Sequence, residues 1–235
     1  MKKPIVIFFL VVFVLSSCSD KDDSVIRIDP YDLEVIEYFQ EIALGFDADK
    51  ENSVTHKWKA DAKIFIGGQP STANITEIEK IIAEVNQLAT DGFSIEIVPD
   101  SIQANFYVYV GTAAQYGKIF PTFAELATTN VALFNVYWNS ENYLRLALVF
   151  IDNEKSDSSA QTHFMRMMVT RSLGLTNTSY NYYESIFFGD SWQENKTYTK
   201  IDRDLIRLLY HPEMTAGIKG DTLKNTLLTI LINEK

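Results

Sequence analysis

Residues 143–151 read YLRLALVFI, a run that is apolar at most positions. A strand wetted on one face alternates apolar and polar residues. A short, nearly continuous apolar run is instead the mark of a central strand buried on both faces. VALFNVYW, at 131–138, alternates more clearly, and Asn139-Ser140-Glu141-Asn142 between the two runs is turn chemistry. The pair therefore reads as a hairpin whose second arm lies inside a sheet.

The remaining segments carry helical and strand spacing in turn. Asp29-Pro30-Tyr31-Asp32 is a helix start, with Asp at the N-cap and Pro just inside it. Val35, Ile36, Phe39, Ile42, Ala43 and Phe46 then recur on one face. Strands are expected at 62–66, ended by Gly67-Gly68, at 93–98 and at 105–111. Thr76-x-x-Glu79 fits a capping box ahead of a helix that places Ile78, Ile81, Ile82, Val85 and Leu88 together. A helix is expected over 159–173, closed by Gly174 as a C-cap. Thr199-x-x-Asp202 is a second capping box, opening a helix with Ile201, Leu205, Ile206, Leu208 and Leu209, and residues 221–232 form one more amphipathic helix. No repeat or low-complexity tract divides the chain, so residues 29–235 read as a single domain. The order predicts an α+β (α/β-like) fold around a mixed, mostly parallel, twisted sheet of about five strands.

The first 28 residues have another character. MKKP is a short basic segment, and IVIFFLVVFVL is an apolar stretch long enough for a signal peptide but short for a membrane span. LSSC follows and resembles the lipobox of bacterial lipoproteins, which implies a signal peptide over 1–17 and a lipid on Cys18. SDKDDS beyond it is polar and acidic, so 18–28 reads as a flexible tether. Ser19 after the Cys, and the acidic patch, resemble the sorting signals of Gram-negative outer-membrane lipoproteins, some of them surface-exposed. The expected address is therefore the cell envelope, with membrane contact through the lipid on Cys18. That Cys is the only one in the chain. Once acylated it leaves no thiol for disulfides, thiolate catalysis or metal binding. A formal charge of −10 with no basic stripe excludes nucleic acid as a partner.

Residues 166–177, RMMVTRSLGLTN, keep a familiar frame without its chemistry. In the metzincin pattern H-E-x-x-H-x-x-G-x-x-H the Gly falls on Gly174, and the four functional slots fall on Met167, Met168, Arg171 and Asn177. SIFFGDSW, at 185–192, resembles the Met-turn of that family, with Phe187 at the Met slot. TKIDRDLIRLLYHP, at 199–212, resembles the helix after it. The combination is similar to a bacterial family of domains of unknown function (the 2927 type), itself described as zincin-like. The resemblance covers roughly residues 55–217. It implies metzincin-like helices around the sheet, with the zinc-site helix retained and its ligands lost.

Zinc hydrolysis needs two His one helical turn apart and a Glu beside them as general base. The chain has three His, at 56, 163 and 211, with no two four apart, and no Glu between Glu154 and Glu184. A thioether is a poor zinc ligand and a guanidinium is a permanent cation. No catalytic residue, metal or cofactor is therefore expected. Met167 and Met168 are expected as apolar filler, Arg171 as a partner for a carboxylate or for the following loop, and Asn177 in a turn. His163 is expected to be partly exposed, and His211 to cap a helix end. Tyr180, Tyr182, Tyr183 and Trp192 lie in an aromatic loop that either stacks on a protein, peptide or glycan ligand or forms its own small core. The expected function is a binding or assembly module on an inactive metzincin-like domain. The alternative is a peptidase whose metal site is rearranged, around His163 or His211 with carboxylates.

Overall fold

Strand β6 (Tyr143–Asp152) organises the sheet, because three other strands pair with it. The computed structural model describes residues 28–44, 53–189 and 195–235. Among these, six strands and seven α-helices form in the order α1 (Pro30–Ala43), β1 (Lys57–Trp58), β2 (Ala62–Gly68), α2 (Thr72–Leu88), β3 (Ile95–Ile97), β4 (Phe106–Gly111), α3 (Ala113–Ile119), α4 (Ala124–Thr129), β5 (Ala132–Trp138), β6, α5 (Ser158–Arg171), α6 (Lys200–Leu209) and α7 (Gly220–Asn233). The expected signal peptide (1–17), the expected tether with Cys18 as far as residue 27, and Phe46 lie outside the described residues.

The strand order is β3-β2-β4-β6-β5, with the two residues of β1 pairing the start of β6. Every pairing is parallel except that of β5, which runs antiparallel to β6 from Ala132 opposite Ile151 to Trp138 opposite Leu144. The sheet is thus mixed and mostly parallel, as expected, with six strands where about five were counted. The extra one, β1, is too short to leave a periodic signal. From Ala147 to Asp152, β6 is buried at every position, and its first half is not, because Arg145 and Leu146 reach the surface side.

Side-chain alternation divides the core between two faces. Phe106, Val108 and Val110 of β4, with Ala147, Val149 and Ile151 of β6, meet the layer of α1, α2, α5, α6 and α7. Tyr109 of β4 and Leu148 and Phe150 of β6 face the other way, onto Tyr116 of α3, Phe123 just before α4, and Ala127 of α4. The cover on this second face, residues 113–129, has no counterpart in the sequence reading. Helices of seven and six residues, split by Pro121, are too short for a 3.6-residue pattern to show.

Capping fixes the helix starts. Asp29 accepts from the Tyr31 N–H at 3.0 Å, and Thr199 and Asp202 form the expected reciprocal box. At α2 the expected box is wrong. Ser71 is the N-cap, closed by Asn74, and Thr76 and Glu79 fall inside the helix. Asn74 serves as well as Glu because its carboxamide oxygen accepts the Ser71 N–H at 2.8 Å. The strand expected at 93–98 shrinks to Ile95–Ile97, since Phe93 is drawn onto the Tyr210 ring, 4.2 Å between centroids.

Buried charge ties α5 to α2. The Arg166 guanidinium meets Glu77 at 2.6 Å and Glu84 at 2.9 Å and lies 4.5 Å over the Tyr198 ring. The inward face of α5 is thereby fixed against rotation, which sets what its other face presents.

Candidate functional site

Helix α5 is capped by Asp157, whose carboxylate accepts the Ala160 N–H at 2.9 Å, and it ends at Arg171 with Ser172 as its C-cap, two residues before the Gly174 expected there. His163, Phe164, Met167, Met168 and Arg171 line one side of a cleft of about 340 Å³, although His163, Met167 and Met168 are largely buried and the two methionines join the core as expected. The opposite wall is the chain entering β5, residues 129–132, and Thr178 and Gly189 close one end. Three of the four positions singled out by the sequence frame, Met167, Met168 and Arg171, therefore share one cavity.

The fourth does not. Asn177 turns toward α1, where its Nδ2 donates to the Glu41 carbonyl at 3.0 Å and its backbone N–H to the Ile42 carbonyl at 3.0 Å. The turn expected here becomes a docking contact. Arg171 reaches the following loop: its Nε and Nη2 donate to the Thr176 carbonyl at 2.9 and 2.6 Å, and its guanidinium carbon lies 4.4 Å over the Phe134 ring of β5. His163 corrects the expectation of exposure. It is 3% exposed, with Nδ1 2.9 Å from the Asn195 carbonyl, because the segment following the aromatic loop packs over it. His211 follows α6, and its Nδ1 accepts the Glu213 N–H at 3.2 Å.

Phe187 is fully buried, and a hydrogen-bond network centred on Asp202 fixes its segment. The Ser185 hydroxyl donates to Asp202 Oδ1 at 2.6 Å, so the Tyr38 hydroxyl, 2.8 Å from Ser185 Oγ, must donate to it. The Ile186 N–H and the Thr199 N–H and hydroxyl all reach Asp202 Oδ2. Burial pushes the Asp202 carboxyl above its usual range, and these donors pull the other way. One carboxylate thus clamps the 185–187 turn to the first turn of α6.

The aromatic loop splits. Tyr180 and Tyr183, 70% and 59% exposed, stand at steep angles to Phe188 with centroids 5.7 and 5.2 Å away. The loop is closed by the Ser179 N–H to the Phe187 carbonyl and the Gly189 N–H to the Ser179 carbonyl. These rings make a ledge next to Thr178 and Gly189, the end of the cleft. Tyr182 belongs elsewhere: it packs edge-on to Tyr38, 4.6 Å away, beside Glu34, Glu37 and Glu41 of α1. Trp192 lies outside the described residues.

Strand β5 adds what the sequence reading did not single out. The Asp152 N–H bonds the Val131 carbonyl, so the antiparallel alternation directs the backbone groups of Ala132, Phe134 and Val136 away from β6. No other described strand pairs with that edge. Its nearness to α5 comes from the tertiary fold, and no spacing in the chain signals it. Among the described residues, no group of three or more His, Cys, Asp or Glu is placed to hold a metal ion. No helix among them is long and apolar enough to cross a membrane.

A mostly parallel sheet with one antiparallel edge strand, covered by helices and carrying a cleft between that edge and the helix after β6, defines a mixed α+β domain with an open groove. The chain belongs to the family described as protein of unknown function (DUF2927), whose sequence profile matches residues 32–229. No curated protein gives a significant match.

Proposed function

We propose that this is a lipid-anchored envelope protein whose domain is a metzincin-like scaffold without zinc chemistry, acting as a binding module that takes an extended peptide along the edge of β5. The observation that carries the reading is the cleft itself: Met167, Met168 and Arg171, the positions of the zinc frame, line it beside the free backbone edge of β5. An added strand would satisfy the outward groups of Ala132, Phe134 and Val136, and its alternate side chains would turn toward α5. Phe164, Met167 and Met168 give that wall an adaptable apolar surface, and the ledge of Tyr180 and Tyr183 extends it.

The test is selection of peptides from a random library on the purified protein, followed by calorimetry of the enriched sequences. Alternate N-methylation of a bound peptide removes the donors that strand addition requires and is expected to abolish binding. Binding indifferent to N-methylation would refute strand addition, and specific hydrolysis of peptides would refute the inactive reading. The lipid anchor is tested separately, by mass spectrometry of the mature N-terminus, where an unmodified Cys18 would contradict it.

A further inference from the structure

We propose that the second face of the sheet, opposite the α5 cleft, holds a binding site for a small alkylated organic cation of the trimethylammonium class. Over the β2–β4 half of that face, beside the end of α3, opens a pocket of about 450 Å³ lined by Phe65, Gly67, Gly68, Tyr107, Tyr109 and Phe120. That volume falls within the range of small-molecule sites. Phe65 and Phe120 flank Tyr107 at interplanar angles of 66° and 70°, each with its centroid 6.3 Å away. Rings set across one another in this way bound a space on several sides. The faces of such rings carry partial negative charge and attract a cation.

Gly67 keeps the pocket open. A Cβ on Gly67 would meet Phe65 Cε1 at 3.2 Å and Tyr109 Cδ2 at 3.4 Å, inside the ring cluster. At Gly68 a Cβ would meet the Val110 carbonyl oxygen at 2.1 Å, which is what reserves that position for glycine, and would lie 3.1 Å from Tyr109 Cζ, so the carbon bearing the tyrosine hydroxyl sits beside a lining residue. Tyr109 is only 9% exposed, yet its hydroxyl has no partner among the described residues, whereas that of Tyr107 donates to the Ser101 carbonyl at 2.6 Å. That hydroxyl is not closed off in the core, so a ligand in the pocket can reach it.

Charge selects the class. No Lys, Arg, His, Asp or Glu lines the pocket, and Lys63 on the same face is held by Glu96 at 3.6 Å. The chain as a whole carries a formal charge of −10, which favours cations over anions at such a surface. A primary ammonium would need three acceptors, which these rings do not offer. A trimethylammonium group has no N–H to satisfy.

The test titrates the purified protein with choline and with its uncharged isostere, 3,3-dimethylbutan-1-ol, at fixed ionic strength, followed by ligand-observed NMR. Choline is expected to saturate one site, with the isostere at least about fivefold weaker, the preference a cation over ring faces carries at a partly exposed site. Phe65→Leu and Phe120→Leu each keep an apolar wall while removing a ring, and each is expected to weaken choline several-fold with circular dichroism unchanged. Failure of choline to saturate, equal binding of the isostere, or full-strength binding by both variants would each overturn the proposal.

Discussion

Gly174 offers the sharpest measurement of what holds the chain after α5 in place. It sits at φ +116°, and an added Cβ would lie 2.0 Å from the His56 carbonyl oxygen and 2.9 Å from its carbon. His56 cannot simply step aside. It leads into β1, where Lys57 and Trp58 pair with Tyr143 and Leu144, and the Trp58 indole donates to the Ser172 carbonyl at 3.0 Å. Gly92 is the natural control: its φ is +93°, and a Cβ there would meet nothing within 4 Å. Gly92→Ala should therefore cost only backbone strain, about 1–2 kcal/mol. Gly174→Ala should add the displacement of a packed strand, about 1–3 kcal/mol more. For a domain of this size each kcal/mol lowers Tm by about 2–4 °C, so the two variants should separate clearly in thermal melts and in urea unfolding followed by tryptophan fluorescence. If Gly174→Ala proves no more costly than Gly92→Ala, close approach of the His56 carbonyl is not what reserves this position for glycine.

Three further outcomes are expected. Burial holds the Tyr38, Tyr116, Tyr198 and Tyr210 hydroxyls well above their usual range; the folded state keeps protons that the unfolded chain releases near pH 10, so their contribution is complete below about pH 10 and is lost as pH rises beyond it. Near-ultraviolet absorbance should show this group ionising only as circular dichroism is lost, and gradual ionisation of a folded protein would contradict it. Arg166→Met strands the buried Glu77, while Glu84 keeps Arg203 at 2.5 Å, and should cost about 3–5 kcal/mol in urea unfolding, partly recovered by adding Glu77→Met; no recovery would mean that the stranded charge is not the source of the loss. Phe187→Met, a near-volume swap in a closed core, should cost less than about 1.5 kcal/mol, and a larger loss would show that the ring itself is required.

The parts of the fold legible in the chain are those set by local chemistry. Asp29-Pro30 and the Thr199–Asp202 box mark helix ends because caps act within a few residues, Gly174 marks the end of α5 only to within two residues of its cap at Ser172, and the hairpin of β5 and β6 reads from alternation around a turn. What stayed hidden depends on distant partners. His163 is buried by Asn195, Tyr182 is parted from Tyr180 and Tyr183 because Tyr38 draws it onto α1, and Asn177 is taken by two carbonyls of α1. The cleft needed three segments that share no spacing: the entry to β5, one face of α5 and the end of the aromatic loop. The aromatic pocket is further still from sequence, since its rings come from β2, β4 and the residue after α3.

On the metzincin-like reading proposed above, Arg171 bears on how a zinc frame could survive without its metal. A guanidinium keeps its charge at any pH the protein meets. Here it binds one carbonyl, that of Thr176, through two nitrogens and covers the Phe134 ring, so a single side chain joins the helix end, the loop after it and the edge strand. On the metzincin-like reading, that cross-link occupies the position of a ligand and takes over the work of holding helix and loop together. Asn177, one residue beyond Thr176, is meanwhile turned out of the cleft and onto α1. Replacing the helix positions alone, as Met167→His, Met168→Glu and Arg171→His, would then supply two ligands and a base, remove the cross-link and leave the third ligand position docked on α1. A zinc titration of that triple variant is expected to show only weak binding, as for two helical histidines without a third protein ligand. Tight, stoichiometric zinc would mean that the loop can return to the cleft and that the loss lies in the side chains alone.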